Sequence, residues 1–150
     1  MKKLLYILIL ALSSHIVLAK SDVEGYWMTI DDETNEAQSI VQVYEYQGKY
    51  FGRVVALLDD EDATADLPGS PKIKGMDIIW DLEADDGKYT GGEILDPAKG
   101  KVYGCELWRD EDKLIVRGKI AFFGRNQTWL SAKDFKGDPT PLVPQKPKLK

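Results

Sequence analysis

Histidine and cysteine are almost missing from this sequence, with one of each, His15 and Cys105, in 150 residues. His15 falls in an N-terminal stretch that reads as a secretory leader: Lys2 and Lys3, an apolar run from Leu4 to Leu12, then Val17-Leu18-Ala19. The run is too short to span a bilayer and ends on a small residue, so cleavage after Ala19 is expected, placing the mature chain in the periplasm or outside the cell. A chain starting at residue 20 holds no histidine. That excludes Ser-His-Asp and Cys-His catalysis and any His-ligated zinc or copper site. One cysteine excludes an intrachain disulfide and a Cys-pair metal or redox centre. No cofactor is called for, and no later stretch is apolar enough for a transmembrane segment.

Positive charge is also in short supply. Residues 20–138 carry 15 Lys and Arg against all 25 Asp and Glu, a net −10. A body this acidic excludes nucleic acid as a partner, because phosphate binding needs concentrated positive charge. The last twelve residues, PTPLVPQKPKLK, reverse the balance with three lysines and no acid. They lack core-forming content and read as a short disordered, Pro/Lys-rich tail over 139–150. Sustained helical periodicity and internal repeats are absent as well.

What remains is a succession of short strands between turn residues. Expected strands cover 25–30, 38–47, 49–58, 76–82, 88–95, 101–109, 113–123 and 126–132, with tight turns at Gln47-Gly48, Asp86-Gly87 and Asp110-Glu111-Asp112. Residues 59–74, with four consecutive acids and Leu67-Pro68-Gly69-Ser70-Pro71, read as a long surface loop. Several strands are apolar on both faces: in 113–123, Leu114, Val116, Ile120 and Phe122 alternate against Ile115, Ala121 and Phe123. The fold class is therefore all-β, an antiparallel barrel of about eight strands in a single domain over 20–138.

Three groups of residues could carry chemistry. The acids of 59–62 with Asp66 could hold calcium, but the order of an EF-hand loop is missing, and a solvated loop explains them. Glu45, Glu93, Asp96 and Glu106 could support His-free acid–base hydrolysis, although Asp96-Pro97 is also a plain turn former. Trp27, Trp80, Trp108 and Trp129 sit on four different strands with Tyr26, Tyr44, Tyr103 and Phe122. In a small barrel such residues either fill the interior or line a ligand pocket. Arg53, Arg117 and Arg125 lie within or beside apolar strands, where an Arg stacks on a Trp or grips a carboxylate or phosphate. Cys105 shares a face with Tyr103 and Leu107 and reads as a buried thiol.

Six segments in order, 25–31, 48–54, 92–97, 100–103, 114–118 and 124–129, resemble the exported bacterial family known as domain of unknown function 2147. The resemblance spans nearly all of residues 24–132. It implies a small lipocalin-like barrel, in which Trp27 closes one end beneath Arg125 or Arg117. Many members carry a Cys pair in the loop that is 59–74 here; this chain has none, so a mobile loop is implied. The family brings no established activity.

The leading expectation is a ligand-binding barrel for a small amphipathic or hydrophobic molecule. Trp27, Trp80, Tyr103 and Trp129 would line its apolar part, and Arg53 and Arg117 would hold the polar end. The alternatives are a filled barrel that meets an envelope component through its loops or basic tail, and a carboxylate hydrolase of envelope glycan.

Overall fold

The computed structural model describes residues 21–150; the expected leader with its cleavage point, and His15, lie outside the described residues. Eight strands form, β1 (Gly25–Ile30), β2 (Ala37–Tyr46), β3 (Lys49–Leu57), β4 (Asp77–Asp85), β5 (Lys88–Asp96), β6 (Lys101–Asp110), β7 (Lys113–Ile120) and β8 (Phe123–Ser131). Each pairs antiparallel with its neighbours in chain order, and β8 returns to β1 to close a barrel. Closure leaves no free sheet edge, which is how an all-β chain of this size avoids edge-to-edge association.

Register decides which side chains enter. Trp27 faces Val41 across β1 and β2, Leu107 faces Val116 across β6 and β7, and Leu114 faces Trp129 across β7 and β8. All six are buried, so these rungs point inward, and strand alternation assigns the rest. Beside this interior, Gly92 lets β5 approach β4: a Cβ there would run into the Trp80 carbonyl oxygen and the Leu82 backbone nitrogen.

Hairpins β2–β3, β4–β5 and β6–β7 gather at one end with the start of β1. Here Trp27 Nε1 donates to the Val23 carbonyl at 2.8 Å, and the Arg109 guanidinium lies 5.3 Å from the Trp27 ring. Arg109 also donates to the Asp22 and Glu111 carbonyls. The Trp-under-Arg closure implied by the family resemblance therefore exists, but Arg109 supplies it rather than Arg117 or Arg125. Parity and position explain the correction. Arg109 is two residues beyond inward Leu107 at the closed end, Arg117 faces outward, and Arg125 lies at the opposite end.

Three other expectations change. The strand read through Phe123 ends at Ile120, and Phe123 opens β8. Ala121 makes that turn at φ 52 with no Gly, Pro or Asn to announce it, which leaves Phe122 fully exposed instead of alternating into the sheet. The loop after β3 is not free: Ala65 and Leu67 are buried, Thr64 bridges Lys72, and the Asp66 N–H donates to the Pro97 carbonyl at 2.8 Å.

The third change concerns residues 139–150. They have no regular secondary structure, as expected, yet they lie along the barrel wall as a strap. Leu142 and Leu149 pack against the core cluster, and Lys150 pairs with Asp66 at 2.9 Å. The strap covers an outer face that would otherwise expose aromatic rings, and its prolines arrive already extended, so ordering it costs less entropy.

Candidate functional site

The opposite end of the barrel, its mouth, collects the β1–β2, β3–β4, β5–β6 and β7–β8 connections. Below it the interior is closed by Trp27, Trp129, Leu107 and Leu114, each at most 3% exposed. Toward the mouth the inward positions change character. Thr29 and Ser39 face each other and share a hydroxyl–hydroxyl hydrogen bond of 2.7 Å. Ile94 faces Tyr103 across β5 and β6, and both remain half-buried, as does Gln127. Gly118 lies beside them, where a Cβ would make ordinary contact with Ile94 and Tyr103 at 3.9 Å each. Arg125 shares the inward parity of Gln127 and Trp129 near this end of β8 and pairs with Asp32 of the β1–β2 loop at 2.8 Å, its side chain 70% exposed. The β7–β8 turn adds an apolar rim, with Ile120, Phe122 and Phe123 at 62, 100 and 82% exposure. The mouth thus combines an apolar lip, two hydroxyls, an amide and one cation, a set suited to an amphipathic molecule.

Of the six expected ligand residues, the structure does not assemble one pocket. Trp27 and Trp129 form the packed floor. Tyr103 faces the mouth. Arg117 faces outward beside Glu106 at 3.7 Å, where Lys119 also pairs at 2.8 Å. Arg53 and Trp80 come together on the outer face of β3 and β4, beneath the strap.

That outer face is built around a buried ion pair. Arg53 and Asp77 face each other across β3 and β4 with side chains 10 and 1% exposed. Arg53 donates from Nε and Nη2 to the two Asp77 oxygens at 3.0 Å each, and the Tyr44 hydroxyl lies 3.0 Å from both. Burial, then the Asp77 charge, holds the Tyr44 phenol well above its ordinary range. The strap completes the set. The Gln145 N–H donates to Asp77 Oδ2 at 2.6 Å, and the Val143 carbonyl accepts from Arg53 Nη2 at 2.7 Å. Next to it, Lys146 sits 4.8 Å over the Trp80 ring and 3.9 Å from Glu93, which accepts from Trp80 Nε1.

The carboxylates considered for hydrolysis are each engaged elsewhere. Asp96 accepts the Ala98 and Lys99 N–H groups of its own turn, and Glu45 accepts from the Gly48 N–H. The hydrogen bond from Lys119 holds the Glu106 carboxyl below its usual range. In the acidic loop, Asp62 pairs with Lys72 and Glu61 with Lys74. Among the described residues no three metal-ligating side chains stand together, and no helix is long and apolar enough to cross a membrane. Cys105 is 3% exposed, its thiol pushed up to about 12 by burial and the neighbouring Glu106.

Sequence reasoning passed over Arg109, Asp77 and the strap. The sequence of the strap, with Leu142 and Val143 adjacent, shows no alternation; only the structure does, with Leu142, Pro144, Pro147 and Leu149 half-buried while Val143, Gln145, Lys146 and Lys148 are exposed. That near-alternation is the pattern of an extended segment with one face down.

Comparison with known proteins agrees with this architecture. A solved lipocalin-family protein, HP1028 of Helicobacter pylori, is similar over 77% of this chain and 86% of its own, at 20% identity and a TM-score of 0.64. At that identity the likeness shows the fold alone. No curated protein matches. The family model for an uncharacterized protein conserved in bacteria, DUF2147, matches residues 25–131, from the first residue of β1 to the last of β8. With its whole barrel inside that match, the chain belongs to the DUF2147 family.

Proposed function

We propose that the protein is an exported barrel that takes up a small amphipathic molecule through its mouth. One observation carries this reading: the exposed Ile120-Phe122-Phe123 lip borders an end where inward Ile94, Tyr103 and Gln127 are still half-buried. Large exposed apolar side chains beside partly polar positions favour an apolar partner, since fully covering each is worth about 1.5–3 kcal/mol. In this reading Tyr103 and Ile94 meet the apolar part over a floor of Trp27 and Trp129. Arg125 takes the polar end by exchanging its Asp32 partner. Arg53, Trp80 and Arg117 face away and take no part.

The test is mass spectrometry of the mature protein, purified gently from its exported compartment, under native and denaturing conditions. A reproducible extra mass that denaturation releases, and that a Phe122→Ser/Phe123→Ser variant fails to retain, is the expected result. Bare protein in both spectra, also after incubation with envelope lipid extract, overturns the reading. It would favour a filled barrel working through its surface, the reading to which the packed Trp27–Trp129 floor already lends support.

A further inference from the structure

We infer that the outer face of β2–β5 is a second binding site, a groove for an extended peptide of the form apolar–x–Pro–x–Lys, which the chain's own strap fills in cis. The argument begins with what the groove reads. Arg53 takes the carbonyl of Val143 and Asp77 takes the N–H of Gln145. These are main-chain groups on either side of Pro144, the one residue whose missing N–H leaves nothing unsatisfied there. Two charged side chains thus engage an extended backbone as a neighbouring strand would, without a ladder. Side-chain selection is added by the shelf of Tyr46, Phe51 and Trp80 beside Pro144 and Lys146, and by Glu93 near the lysine ammonium.

The groove around Val143–Lys146 is built from barrel strands alone. Arg53, Asp77 and Tyr44 are already hydrogen-bonded to one another, so a docking segment meets a preorganised surface. None of these contacts depends on the strap being joined to β8. Attachment contributes only a high effective concentration, which a free peptide of the same chemistry must overcome.

The test uses the full mature chain and a variant, Gln145→Pro, which deletes the N–H that reaches Asp77 while proline geometry suits an extended segment. The probe is a fluorescently labelled peptide of residues 141–150, and the control is the same peptide with proline in place of Gln145. Tryptic cleavage at Lys148–Leu149 reports whether the strap has left the groove. The expected result is faster cleavage of the variant, with probe binding, read by anisotropy, at least tenfold tighter to it than to the unmodified chain and lost with the control peptide. Faster cleavage without probe binding overturns the inference, because the face is then only a packing surface for an attached tail. Unchanged cleavage overturns it too, since the Asp77–Gln145 contact would not be what holds the segment.

Discussion

Replacing Asp77 with asparagine tests the outer-face ion pair most directly. The native carboxylate is fully buried and balances Arg53, whose side chain is 10% exposed. Asparagine keeps the size and one acceptor oxygen but removes the charge and the second acceptor. Arg53 Nη2, the Tyr44 hydroxyl and the Gln145 N–H then compete for what remains. Removing one partner of a buried pair costs about 3–5 kcal/mol, mostly because the other charge is stranded. In a domain of this size that lowers the melting temperature by roughly 10–20 °C. Removing both charges together, as Arg53→Met/Asp77→Leu, should return much of the loss, because a buried pair is barely favourable over packed apolar groups. Urea denaturation of the two variants beside the parent supplies the comparison. A loss under about 1 kcal/mol for Asp77→Asn would refute the reasoning, since a pair so easily halved is reached by water and is not sealed by the strap.

Three further outcomes are expected. The folded Tyr44 holds its proton above the pH at which an unfolded tyrosine, with a pKa near 10, loses it. Stability should therefore fall as pH rises beyond about 10, and Tyr44→Phe should flatten that fall; identical alkaline profiles would show that the phenol plays no part. Gly92→Ala should destabilise the barrel strongly because its Cβ meets the backbone of β4. Gly104→Ala, whose nearest neighbours are Lys119 atoms at 3.6 and 3.7 Å, should fold nearly unchanged; thermal melts of the pair decide. Cys105 should resist maleimide at pH 8 until the protein unfolds, and rapid labelling of the native state would contradict its burial.

The barrel itself was legible in the residues. Alternation along strands such as Ala37–Tyr46, together with turn pairs such as Gln47-Gly48 and Asp86-Gly87, is a local signal, and it places strands within a few residues. The β7–β8 turn escaped because Ala121 takes its left-handed conformation under the demand of the ladder on either side. The strap escaped for another reason. A Pro-rich, lysine-rich segment cannot build a core, and nothing in its composition says that four neighbouring strands already hold a surface to receive it.

By itself the sequence determined the all-β class, the strand count and the burial of Cys105, because each depends on residue identity or on neighbours close in the chain. Tertiary structure decided which arginine meets which partner: Arg109 on Trp27, Arg53 on Asp77, Arg125 at the mouth, Arg117 outside. Those assignments follow from strand parity, barrel end and register. A strand places successive side chains on opposite faces, so one residue of register separates a ligand contact inside the barrel from an ion pair on its wall.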